Sequence, residues 1–201
     1  MTVTFASRAP LPWSVSEAPA SFPKYNTARP WPITLDVVSS TVRARGGEKT
    51  GPSPVDRGRP GVKHHLVVDA GGIPLACVAT AANVSDVTML EAMVEAIPAL
   101  SGGRRDRPRR RPGELYVDRA YHRRRRAAWL RSKGIVPRIA QRGEAHGSGL
   151  GAKRYVVERT ISSLHNFGRL RVRRDRRADI HDAWVSLGCA MVCLRRWEAL
   201  C

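Results

Sequence analysis

The run His64-His65-Leu66-Val67-Val68-Asp69-Ala70-Gly71-Gly72-Ile73-Pro74-Leu75-Ala76-Cys77-Val78-Ala79-Thr80 decides the fold. Two β-branched and apolar segments, His64 to Val68 and Ile73 to Thr80, flank Asp69-Ala70-Gly71-Gly72. Such a linker suits a tight connection, because an Asp side chain bonds nearby backbone and glycines accept positive φ. The stretch predicts a hairpin. Upstream, a β-like run from Ile33 to Val42 leads into a polar loop, Ala44 to Gly61, broken by Gly46-Gly47, Gly51-Pro52 and Arg59-Pro60-Gly61.

Downstream of the hairpin the period changes. Ser85 is a candidate cap for a helix in which Met89, Leu90, Met93, Val94, Ile97 and Leu100 recur at helical spacing before Gly102-Gly103. Leu115-Tyr116-Val117 predicts a short buried strand ending at Asp118. Arg123 to Lys133 predicts a helix with Ala127 and Leu130 inward, stopped by Gly134. Ile135 to Ala140 is strand-like, and the Gly-rich loop Gly143 to Gly151 precedes a helix from about Lys153 to Phe167. A last helix is expected after Asp179, with Asp182 returning a capping bond and Ile180, Ala183, Trp184, Leu187, Met191 and Leu194 facing inward. This alternation predicts an α/β fold, a central sheet covered by helices. Residues 1–33, rich in Pro, Ala and Ser without a sustained period, predict a disordered or extended leader. Residues 34–198 are expected to form a single domain.

Charge narrows the partner. The 201-residue chain has 35 Lys and Arg against 17 acidic residues, a formal net charge of +18. Lys occurs only at positions 24, 49, 63, 133 and 153, leaving 30 arginines among the 35 basic residues. The guanidinium fork binds phosphate bidentately, so nucleic acid is the expected partner; a biased genome composition is the bland alternative. Arg104, Arg105, Arg107, Arg109, Arg110 and Arg111 lie between glycines, in an exposed loop that either touches phosphates or is a solvated connector. Cys77, Cys189, Cys193 and Cys201 are too sparse and irregular for a disulfide framework or a zinc knuckle, and core packing is expected for Cys189 and Cys193. The longest apolar run, Trp184 to Leu194, is too short to span a bilayer, and no signal peptide is evident. A cytoplasmic, nucleoid-associated protein without a membrane partner is expected.

Asp118 ends a strand and Glu158 sits early in a helix after the next strand, so the two acids can converge without being close in sequence. Two-metal phosphoryl transfer requires convergent carboxylates, whose hard oxygens suit Mg2+ or Mn2+. Spacing alone also accommodates a turn acid at 118 and, at 158, an exposed helix charge paired with Arg154.

Four stretches add more. Thr50–His65 (TGPSPVDRGRPGVKHH), Asn83–Asp86 (NVSD), Leu115–Tyr121 (LYVDRAY) and Tyr155–Arg171 (YVVERTISSLHNFGRLR) resemble, in order, bacterial insertion-sequence transposases with a DDE catalytic domain. The resemblance runs from about Thr41 to Arg196. It implies an RNase H-like mixed sheet covered by helices, Mg2+- or Mn2+-dependent cutting of element ends, and strand transfer into target DNA by a homodimer. By the same resemblance, Asp118 is the second catalytic acid and metal ligand and Glu158 the third. Arg154 matches the Arg of the family's Tyr-Arg-Glu-Lys helix signature, whereas Gly151 replaces its Tyr and His165 its Lys. Arg154, His165, Arg109, Arg110 and Arg111 are the expected DNA contacts.

The first acid departs from the pattern. Val38 stands at the aspartate position of Val38-Ser39-Ser40-Thr41-Val42-Arg43-Ala44, and Asp36 lies two residues earlier. Two residues along a strand return to the same face, so a two-residue slip would restore the carboxylate at Asp36. Asp56 and Asp69 are expected in turn roles, and Asp86 at a helix start. For His64 and His65 packed imidazoles are expected ahead of a metal-facing one. The leader bears no resemblance to the DNA-binding segment that precedes this domain in the family, so a copy truncated at its amino terminus is expected. Two functions follow: a transposase core using Asp36, Asp118 and Glu158, or a catalytically inactive relic that still binds DNA through its arginines.

Overall fold

The computed structural model describes residues 32–33, 38–100, 108, 111–117, 124–139 and 150–198. Nearly all of the expected leader, Arg104, Arg105, Arg107, Arg109 and Arg110, and the acids Asp36 and Asp118 lie outside these residues.

The described elements are, in order, β1 (Pro32–Ile33), β2 (Val38–Ala44), β3 (Gly51–Pro52), β4 (Pro60–Val68), β5 (Pro74–Ala81), α1 (Leu90–Glu95) and β6 (Glu114–Val117). They continue with α2 (Arg124–Ser132), β7 (Val136–Ile139), α3 (Leu150–His165), α4 (Gly168–Arg171), β8 (Val172–Arg173) and α5 (Ala178–Glu198). β4 is flanked by antiparallel β5 and β3 on one edge and by antiparallel β2 on the other, while β8 joins β2 in parallel. A second group runs β1-β6-β7, all parallel. The fold is mixed α/β, and the segment carrying β1 and β2 contributes a strand to each group.

β4 explains why helices cover both faces. From Gly61 to Val68 every residue is buried. Period-two alternation sends Val67 into a cluster with Leu90, Met93, Leu115 and Leu130, and sends Leu66 and Val68 into another with Val157, Ile161, Leu164, Val185 and Val192. α1 and α2 therefore cover one face of the sheet, and α3 and α5 the other. Full burial of each such side chain stabilises the fold by about 1.5–3 kcal/mol.

The hairpin forms as expected, with strands slightly longer than the sequence defined and a register shift between Val67 and Val68. Asp69 makes the turn: its Oδ1 accepts from the Gly71 and Ile73 amides at 2.9 and 2.8 Å, and Gly72 takes φ +82°. Thr160 Oγ1 of α3 lies 3.0 Å from the Gly72 carbonyl oxygen and equally close to that of Val156, which seats the turn on α3.

Three expectations are corrected. Ser85 makes no side-chain cap bond, and the long helix it was to open is a 3-10 turn, Asp86–Thr88, followed by the short α1. Asp86 stands at the start of that 3-10 turn, as expected, and also forms an ion pair at 2.9 Å with the buried Lys63, whose ammonium donates to the Val84 carbonyl. A bond across the strand is thus met before local helix capping.

α5 carries no Asp179–Asp182 capping box. Its first amide, Ala178 N, donates to Glu48 Oε2 at 2.9 Å, while Asp179 pairs with Arg177 and Asp182 with Lys49. Its inward face also differs from the expected one: His181, Val185, Gly188, Cys189 and Val192 are buried, whereas Ile180, Leu187 and Leu194 are 40, 52 and 43% exposed. Apolar residues occupy both sides of this helix, so periodicity cannot choose between them. Close approach does. A Cβ at Gly188 would lie 2.7 Å from Leu170 Cδ1 and 3.2 Å from Leu164 Cδ2, so only the side bearing Gly188 fits against α3 and α4.

Replacing the fully buried Leu66 by Ala is expected to cost about 2–5 kcal/mol of unfolding free energy, and Gly188→Val about 1–3 kcal/mol by overpacking. Urea titrations monitored by circular dichroism measure both; a loss below about 0.5 kcal/mol at either site contradicts the packing described.

Candidate active site

Glu158 lies on α3 beside buried Val157 and is itself exposed. A helix returns to nearly the same side after seven residues, so Glu158 and His165 share one side of α3, two turns apart. His165 fixes where that side meets the sheet: its Nδ1 is 3.4 Å from Ser40 Oγ on β2 and its Nε2 is 3.2 Å from His64 Nδ1 on β4. About one and a half turns before His165, α3 touches the hairpin turn through Thr160 and Gly72. β4 runs out at this turn, and its late residue Leu66 pairs with Val38 at the start of β2. Glu158, two residues before Thr160 in the middle of α3, therefore stands on the stretch of the helix level with the start of β2 and the end of β4.

Asp118 follows β6 directly and Asp36 lies between β1 and β2; both are outside the described residues, as are Arg109, Arg110 and the side chain of Arg154. Ile33 of β1 pairs in parallel with Leu115 of β6, and each stands three residues ahead of one of those acids in the sequence. Arg111 is exposed, and its guanidinium donates to the Lys133 carbonyl at 3.3 Å.

Behind this edge the structure holds a feature that the sequence showed only in pieces. His165, His64 and His181 form a continuous chain of rings: His64 Nδ1 meets His165, and His64 Nε2 meets His181 Nε2 at 2.9 Å. His64 and His181 are stacked, with centroids 5.1 Å apart. The chain joins β2, β4, α3 and α5 through side chains alone. Beside it lies the wholly buried Arg173, whose guanidinium donates to the carbonyls of Asp175, Arg176 and Arg177 and so shapes the entry to α5.

Burial pushes the His64 imidazole well below its ordinary value, and the neighbouring His181, His165, His65 and Arg173 push it the same way. Burial, then Arg173, brings His181 down to about 4. His65, on the other face of β4, bonds Thr80 Oγ1 at 2.7 Å and is brought to about 4 by burial despite Asp86. Burial also lowers His165. A neutral imidazole both donates and accepts, which the chain of rings needs, and a second cation beside Arg173 would be costly. The packed reading of His64 and His65 therefore holds. His181 and Ser40 were missed, because bonds bridging 117 and 125 residues leave no trace in local spacing.

Cys189 packs in the core as expected and Cys193 is half-buried; beside them, a hydrogen bond with Cys189, then burial, holds the Cys77 thiol well above its usual range. Among the described residues no group of three or more His, Cys, Asp or Glu could hold a metal ion, and no helix is long and apolar enough to cross a membrane.

Comparison with known proteins agrees with the geometry. The family described as Transposase DDE domain matches residues 32–193. The chain belongs to this family. It is 52% identical over 158 residues, 79% of its own length and 73% of the relative's, to a Burkholderia cepacia protein assigned as transposase for insertion sequence element IS402. No solved structure matches. Members of the DDE transposase family typically depend on divalent metal ions.

Lowered imidazole values set a pH dependence. Below the ordinary histidine value near 6.5 the unfolded chain binds protons that the folded chain refuses until about 4, so unfolding takes up protons. Stability is complete above pH 6.5 and declines as pH falls towards 4. Urea midpoints at constant ionic strength, with the imidazole C2 proton resonances, measure this. Resonances of His64, His65 or His181 titrating near 6.5 in the folded protein would contradict this burial.

Proposed function

We propose that this chain is the catalytic core of a DNA transposase that cuts the ends of an insertion element and transfers them to target DNA, acting as a homodimer on DNA. Its catalytic domain spans 34–198, behind a leader at 1–33. What carries the reading is that Glu158 stands on the stretch of α3 level with the start of β2, in a chain of the DDE family whose β1 and β6 pair three residues ahead of Asp36 and Asp118.

In this reading Asp36, Asp118 and Glu158 are the catalytic acids. Their hard carboxylate oxygens match Mg2+ or Mn2+, which when bound would activate the attacking oxygen and stabilise the leaving one at phosphorus. Arg154 lies one helical turn before Glu158 and steadies a phosphate beside the acids. Arg109, Arg110 and Arg111 hold the DNA backbone further out. The family's lysine position is His165, whose two ring nitrogens are turned to Ser40 and His64. Its role in the proposal is to position α3, and with it Glu158, rather than to reach DNA.

Val38 favours a second reading, the inactive DNA-binding relic. On an unbroken strand positions 36, 38 and 40 share a face, and Ser40 is the member whose side chain reaches α3. A carboxylate at 38 or at 36 would thus serve the same face, and only one of the two carries it in this chain.

Cleavage of a labelled duplex containing the DNA that flanks the gene, with Mg2+ or Mn2+, separates the readings. Cleavage by the natural chain that falls at least about 100-fold in Asp36→Asn, Asp118→Asn and Glu158→Gln supports the three-acid core. Cleavage appearing only in Val38→Asp identifies the relic. Cleavage unaffected by Asp118→Asn and Glu158→Gln overturns both. DNA binding by either form is expected to weaken steeply with salt, and Arg111→Ala to lower the slope of log affinity against log salt by about 1.

A further inference from the structure

α5 presents a second apolar face that the fold does not use. Ile180, Leu187 and Leu194 recur every seven residues and are 40, 52 and 43% exposed, opposite the buried Val185 and Val192. Ala183 and Ala190 lie between them, also exposed, with Trp184 and Met191 half-buried along one margin. A seven-residue apolar repeat over 21 helical residues is the seam of a helix pair. A helix apolar on both sides has two burial partners, and the protein's own core supplies one.

We infer that the second partner is α5 of another copy of this chain, packed antiparallel about a two-fold axis at Leu187. The sequence of the face is self-complementary in that arrangement and in no parallel one. With Leu187 against its equivalent, Ile180 meets Leu194, the small Ala183 meets Met191, and the small Ala190 meets Trp184. Leu187 and the Ile180–Leu194 pairs form an aliphatic centre line, large residues oppose small ones at the Ala183–Met191 and Ala190–Trp184 pairs beside it, and the contacts are reciprocal as a two-fold interface requires. Charges follow the same rule: Asp179 comes opposite Arg195 of the second copy and Arg176 opposite Glu198, all four exposed. Parallel pairing would set Asp179 against Asp179 and Arg195 against Arg195, and the two helix dipoles side by side in the same sense. Both copies carry a net charge of +18, so they repel at low salt, and the pairing strengthens once that charge is screened or neutralised on DNA.

The homodimer of the proposed function gains a surface here. It is tested without DNA or metal, so its failure is separate from failure of the catalytic reading. Sedimentation equilibrium of the full chain at about 0.3 M salt is expected to show a reversible dimer. Leu187→Asp is expected to raise the dissociation constant at least about tenfold while leaving the circular dichroism spectrum and urea midpoint nearly unchanged, since Leu187 is 52% exposed and lies outside the buried clusters. Asp179→Arg and Arg195→Asp should each weaken the dimer, and the double variant should recover it. Three results overturn the inference: a natural chain that stays monomeric, a dimer indifferent to Leu187→Asp, or a double charge swap no better than either single one.

Discussion

β4 must satisfy two opposed demands, and the rest of the molecule is arranged around them. Its apolar residues need cover on both faces, yet it carries Lys63, His64 and His65 in the middle of that buried run. A polar side chain in such a place is tolerated only with a partner. Lys63 finds Asp86, His65 finds Thr80, and His64 finds one histidine from each of the two helices on its face. The helices are therefore fixed by hydrogen-bond geometry as well as by apolar contact. Leucine packing alone tolerates sliding; three imidazole rings in series do not.

That fixing bears directly on the site. In the proposed reading α3 contributes Glu158 to it, and the bonds from His165 to Ser40 and His64 are side-chain links between α3 and the sheet. Phosphoryl transfer by convergent carboxylates is sensitive to the separation of its ligands, so a helix bearing one of them needs an anchor that sets depth and rotation together. A charge at position 165 would be turned towards His64, which already lies beside buried Arg173, so a neutral imidazole at 165 suits the rings of His64 and His181.

Much of this was legible in the sequence, for reasons that differ by element. The hairpin could be read because Asp69-Ala70-Gly71-Gly72 encodes a turn locally and the flanking runs are too apolar to be loops. The end of α2 could be read from Gly134, which takes φ +76°. The rotation of α5 could not, because Ile180, Leu187 and Leu194 are as apolar as Val185, Cys189 and Val192. The choice rests on the room that Gly188 leaves for Leu170, a tertiary fact. Nor could the cap of α5 be read, since Glu48 reaches it from 130 residues away. At the proposed site, Glu158 is an expectation drawn from its motif, and the anchoring chain was not legible, because each histidine taken singly reads as an ordinary core residue.

The substitution at position 38 shows how far such a frame can decouple stability from chemistry. Carboxylates grouped for metal binding repel one another and are costly to desolvate, so replacing one by valine on a strand costs the fold nothing and relieves repulsion. Nothing in the packing of β2 against β4 depends on an acid there: the pairing of Val38 with Leu66 continues the register set by Ser40 with His64. A family member can therefore lose or move its first acid and keep the sheet, the histidine chain and the arginine surface intact. Conversely, an acid two residues earlier returns to the same face only if the strand stays regular between the two positions. In the proposed reading the first acid thus depends on the short segment between β1 and β2, while Asp118 and Glu158 come from elsewhere in the chain.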